Sequence, residues 1–141
     1  MTMAPKSLKA LLFSLCLLLL GGWAYAQRIT DASYRILAHI KSDGTVQDAS
    51  YRIIGHLCSD GKIQDGSYRI VGFIKKDGTV QDASYRIIGH INGNGTIQDA
   101  SYRILGHIQK NGLVQDASYR IIGHADGVPD QWAAWYFFFR R

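Results

Sequence analysis

The sequence predicts an all-β protein: a pseudo-symmetric ring of short antiparallel β-hairpins. Three observations predict it. Tyr-Arg recurs at Tyr34, Tyr51, Tyr68, Tyr85, Tyr102 and Tyr119, a 17-residue step without slippage, the signature of a repeat architecture. Asp-Gly or Asn-Gly pairs stand at Asp43, Asp60, Asp77, Asn94 and Asn111, flanked by β-branched and apolar residues, a strong short-range hairpin signal. Among 141 residues there are 15 Gly, 2 Pro and no Glu; Asp and Gly favour turns and disfavour helix interiors, so a helical bundle is excluded.

Residues 1–26 read as a signal peptide, set aside before fold reasoning. Lys6 and Lys9 form a positive start, Ala10 to Leu20 is apolar apart from Ser14, and Ala24-Tyr25-Ala26 has the small-x-small form of a cleavage site. The apolar run is well short of the ~20 residues a spanning helix needs. Cleavage is expected after Ala26, leaving Gln27 first. A lipoprotein reading is weaker, because Cys16 lies inside the apolar run. The protein is therefore expected to be exported: periplasmic, outer-envelope or secreted.

Residues 27–127 form the repeat domain, with six Tyr-Arg copies. A first turn in each unit is the Asp/Asn-Gly pair, expected as type I′ with positive φ at both central residues. A second lies at Asp48-Ala49-Ser50 and its equivalents. Between them fit a long strand, Tyr51 to Leu57, and a short one, Lys62 to Asp65. Alternation puts Tyr34, Ile36, Ala38 and Ile40 on one face and Arg35, Leu37 and His39 on the other. Both faces carry aliphatic residues, so both are expected to be covered in mid-strand. Gly55, Gly72, Gly89, Gly106 and Gly123 share one position, Ala38 in the first copy, which marks a close backbone approach.

A stacked β-solenoid is the runner-up. It would place identical Arg residues ~4.8 Å apart, whereas splayed hairpins separate like charges. The ends suit a closed ring: Gln27 to Asp31 is a half-unit, and the last copy, Tyr119 to His124, lacks its short strand. The two are expected to pair and remove both edges. Residues 128–141 form an aromatic tail, Gln131-Trp132-Ala133-Ala134-Trp135-Tyr136-Phe137-Phe138-Phe139 at its centre, expected to pack on the repeats as a buried strand; membrane contact through it is the lesser reading.

The formal net charge is +5. Without the two leader lysines, 14 Lys and Arg face 11 Asp, a small surplus to which Arg140 and Arg141 contribute two charges, while the repeat Arg are spread evenly and matched by Asp. No nucleic-acid partner is expected. Cys58 alone survives processing, so no disulfide framework is expected, and its polar equivalents Lys41, Lys75, Asn92 and Gln109 suggest an exposed free thiol.

Two constellations are candidate sites. The five histidines share one repeat position, His39, His56, His90, His107 and His124, with Phe73 in the third copy. A ring of imidazoles is a candidate metal site; the plainer reading packs each ring beside a neighbour's Tyr with a hydrogen bond to backbone. Arg35, Arg52, Arg69, Arg86, Arg103 and Arg120 each follow an Asp by four residues. They are candidates for binding an anionic ligand or glycan, with an Arg–Asp network between adjacent units as the plainer reading. Tyr at the same frequency offers sugar-stacking faces or fills space between units.

The unit I-I-G-x-I-x-x-D-G-T-V-x-D, the leader and the ending G-V-P-x-Q-W-A-A-x-Y-F-F-F resemble the bacterial five-fold beta-flower proteins. The resemblance spans nearly all of residues 27–141 and implies hairpin petals and export, with no functional residues to carry over. Six Tyr-Arg copies stand against five regular Asp/Asn-Gly turns, so five or six petals remain open. Near-identical repeats supply rings of one group where enzymes need distinct groups placed asymmetrically. A non-enzymatic envelope structural or interaction module is expected, with no cofactor and an envelope protein or glycan as partner. The alternative is a ligand-binding module for a glycan or transition metal.

Overall fold

A computed structural model describes residues 27–140; the signal-peptide reading lies outside them. The strands are β1 (Arg28–Asp31), β2 (Ile36–Ile40), β3 (Thr45–Asp48), β4 (Ile53–Leu57), β5 (Lys62–Asp65) and β6 (Ile70–Ile74). They continue as β7 (Thr79–Asp82), β8 (Ile87–Ile91), β9 (Thr96–Asp99), β10 (Ile104–Ile108), β11 (Leu113–Asp116) and β12 (Ile121–Asp126). Each pairs antiparallel with its sequence neighbours, and β1 closes on β12 with Ile29 opposite Ala125 and Thr30 opposite His124. The result is a closed meander barrel with no free edge, not a solenoid. Five two-stranded units are joined by Gly turns, and the sixth is made from the chain's two ends.

The Asp/Asn-Gly turns are not type I′. Gly44 N–H donates to Lys41 O at 2.9 Å and Lys41 N–H to Thr45 O at 2.9 Å. Gly44 has φ 92, whereas Asp43 has no positive φ. This is a type I turn followed by a left-handed bulge residue. Asp43 suits it because its Oδ1 accepts the Thr45 N–H at 2.9 Å.

The opposite turn repeats the same hydrogen bonds with another residue in glycine's place. Tyr51 N–H donates to Asp48 O at 3.0 Å and Asp48 N–H to Arg52 O at 2.8 Å, and Tyr51 has φ 68. All six Tyr of the repeat are left-handed, φ 66 to 68. A side-chain-bearing residue there costs about 1 kcal/mol. The long strands consequently begin two residues after this Tyr, at Ile53 rather than Tyr51, while the short strand β5 spans Lys62–Asp65.

Strict alternation fails at one point in every unit. Between the pairs Ala38–Ile29 and Ile36–Thr30 the register shifts, leaving Leu37 extra. Equivalent shifts precede Gly55, Gly72, Gly89, Gly106 and Gly123. A bulge turns two successive residues inward, so Leu37 joins Ala38 against the core and Ile36 is exposed.

The tail is a plug, but a helical one: α1 (Asp130–Ala134) runs into a π-helical turn over Trp135–Phe139. A strand inside a closed barrel finds no free edge to pair with, whereas a helix satisfies its own backbone. Ten residues of helix reach ~15 Å, about the span of a five-residue strand. Pro129, Gln131 and Trp132 lie by the Cys58–Ile63 turn at one end, and Phe139 and Arg140 by Asp82 and Arg86 at the other. Ala133, Ala134 and Trp135 are buried.

Three of the recurring glycines, Gly89, Gly106 and Gly123, make room for this plug. A Cβ added at Gly55 would sit 3.8 Å from the Trp135 ring, and one at Gly123 would stand 2.6 Å from Phe137. At Gly89 and Gly106 it would collide with Phe139 and Phe138. Only backbone meets the added atom at Gly72, with Gln81 O at 2.8 Å.

Candidate functional site

In a meander every second turn falls at the same end, so the six Asp-x-Ser-Tyr-Arg turns, with Ala at x in five and Gly66 in the third, form one rim. Asp48 shows the local chemistry. Its Oδ1 accepts the Ser50 and Arg52 N–H groups, both at 2.9 Å, and its Oδ2 accepts Arg52 Nε at 3.3 Å. The six ion pairs measure 3.0 to 3.3 Å. Each lies within one turn, so the expected network between units is not formed among the described residues: the tight turn folds the Arg back over its own Asp. The Arg side chains are 80–84% exposed, and such pairs contribute little to stability.

The backbone N–H of the following Arg holds each of these carboxyls below its ordinary value near 3.8, with the Ser N–H and the guanidinium assisting. A carboxylate depressed on folding stabilises above its unfolded pKa and ceases to as pH falls through the folded one. The stability advantage of the native protein over an Asp48→Asn/Asp82→Asn/Asp116→Asn variant is therefore expected to be constant from pH 7 to about pH 5. Below about pH 4 it should shrink. A urea-unfolding series across pH checks this, and an advantage independent of pH would refute it.

The histidines do not converge. Each stacks singly on the Tyr of the next turn: His39 on Tyr51, His56 on Tyr68, His90 on Tyr102 and His107 on Tyr119, with centroids 4.2 to 4.3 Å apart. Tyr34 on His124, at 4.1 Å, carries the pattern across the seam. Phe73 substitutes on Tyr85 at 4.8 Å. The Nε2 atoms of His56, His107 and His124 are buried without a hydrogen-bond partner among the described residues, so the expected backbone bond is not made there: the flat stack on Tyr sets the ring's orientation. Among the described residues no group of three His, Cys, Asp or Glu is placed to hold a metal.

Sequence reasoning missed the recurring glutamine. Gln47, Gln81, Gln98 and Gln115 donate from Nε2 to the carbonyl of the left-handed Tyr at 3.1 to 3.3 Å, pinning the turn that presents the ring. The 17-residue recurrence of Gln was its signal. Cys58 is a half-buried free thiol rather than an exposed one, 3.7 Å from Gln64 Oε1.

The rim also gathers apolar surface. Among the described residues, every exposed large hydrophobic side chain belongs to this end: the six Tyr, 63–68% exposed, five Ile, and the pair Ile70 and Val71. Each Tyr has one face backed by a stacked ring, His for five of them and Phe73 for Tyr85, and is otherwise exposed, with an outward Arg beside it. Exposed apolar area gathered in one place marks an interaction surface.

The family model for the 5-fold beta-flower protein matches residues 26–140. No curated protein and no solved structure matches the chain.

Proposed function

The chain belongs to the 5-fold beta-flower family, and we propose that it is an exported, non-enzymatic module of the cell envelope that docks a repetitive envelope glycan on its Tyr–Arg rim. The observation carrying this reading is the concentration of exposed apolar side chains at that one end. A Tyr ring stacked on one side and otherwise exposed is a platform for a sugar face. The adjacent Arg supplies donors for hydroxyl or carboxylate groups. Six weak and equivalent contacts gain from a ligand that repeats, because each contact raises the effective concentration for the next. The leader residues support export.

The clean test removes rings without disturbing turns. Glycine tolerates positive φ, so a Tyr51→Gly/Tyr85→Gly/Tyr119→Gly variant keeps the turn geometry and loses three platforms. Purified protein is expected to be retained on isolated envelope polysaccharide, and the triple variant about tenfold less. Equal retention of the two, or no retention of the native protein, overturns the glycan reading. Export predicts protein in the envelope or medium with Gln27 as its first residue; full-length protein in the cytoplasm overturns it.

A further inference from the structure

The plug fills the barrel unevenly. Trp135, Phe137, Phe138 and Phe139 occupy the space inside β4, β12, β10 and β8, and no aromatic residue reaches Gly72 of β6. Beside β6 a cavity of about 560 Å³ remains at the rim end of the plug, within the range of small-molecule sites. Its walls include Ile54, Val71, Ile88, Trp135 and Phe139, an apolar lining drawn from barrel and plug together. The strand that borders it breaks the repeat pattern: Val71, which lines the cavity, is exposed where its equivalents Leu37, Ile54 and Ile88 are half-buried.

The polar groups at this cavity are unequal in what they still offer. Asp65 and Asp82 also line it, but both carboxylates accept hydrogen bonds inside their own turns, from Ser67 and Arg69 and from Ser84 and Arg86. The cations are less occupied. Arg86 engages Asp82 through Nε alone at 3.2 Å. Arg140 lies over the Tyr136 ring at 4.4 Å, with no acidic partner among the described residues. Donors are free where acceptors are taken.

We propose that this cavity is a binding site for one amphiphilic monoanion, with an apolar body between Val71 and the plug and a carboxylate-type head on Arg140 and Arg86. Unlike the rim platforms, it occurs once per chain, because a single helix cannot meet all six units equally.

A dansyl-labelled long-chain fatty acid tests it on the whole protein. Fluorescence titration should show one saturable site per chain. Val71→Trp fills the cavity from its exposed wall and should abolish binding; Ile54→Phe intrudes from the opposite wall and should do the same, which covers the case that one variant misfolds, as circular dichroism would show. Arg140→Gln should weaken binding about tenfold, and the matching dansyl alkylamine should compete poorly. The Tyr51→Gly/Tyr85→Gly/Tyr119→Gly variant should bind the probe like the native protein, so failure of the rim reading and failure of this one are separable. Absence of saturable binding, binding untouched by the folded wall variants, or equal binding of the amine overturns the proposal.

Discussion

Gly123→Val is expected to lower stability by about 3 kcal/mol, while Gly93→Ala should stay within about 0.5 kcal/mol of the native protein. The contrast follows from what surrounds the two glycines. A Cβ at Gly123 stands 2.5 Å from Thr30 O and 2.6 Å from the Phe137 ring, whereas one at Gly93 meets nothing within 4 Å. Neither neighbour of Gly123 moves cheaply. Thr30 belongs to β1 at the seam where the barrel closes, opposite His124, and Phe137 is locked in the plug. Shifting Thr30 opens the one strand junction, among the described residues, that is not made by a turn, and shifting Phe137 displaces the plug. Urea denaturation of both variants checks the claim, and comparable losses at the two sites would show that the lumen side of β12 is not crowded.

Trp135→Ala is expected to cost about 3 to 5 kcal/mol, with a melting temperature lower by about 12 °C or more. Trp135 is 7% exposed and lies at the junction of α1 with the π-helical turn. It closes one side of the cavity beside β6 and lies against Gly55 of β4. Its removal enlarges an existing void, which the closed wall has little freedom to collapse around. Calorimetry reads the effect directly. A melting temperature within a few degrees of native would mean that the plug contributes little to holding the barrel.

The repeat made the wall legible. Seventeen residues with two turn signals per unit allow a short and a long strand, and Lys62–Asp65 is the short one. The half-units at the ends identified the β1–β12 closure. What misled was local geometry that neighbours impose. Asp-Gly suggested a type I′ turn, but Asp43 is more useful outside positive φ, accepting the Thr45 N–H. Alternation put Leu37 on the face opposite Ala38 because a bulge leaves no mark in residue type. Arg35 was expected to reach across to another unit, yet its own Asp31 is closer, at 3.0 Å. Tyr gives no warning of a left-handed backbone, since its intrinsic preference opposes it.

The sequence by itself determined the β repeat, the turn positions and the closure of its ends, because these follow from periodicity and from the need to leave no edge unpaired. It also marked the glycines as a crowded ring. Only the tertiary structure decided what crowds them. A run of aromatics is compatible with strand or helix, and the closed barrel selects the helix because its interior offers no hydrogen-bond partners to a strand. From that choice comes the mismatch between one helix and six units, and with it the cavity beside β6.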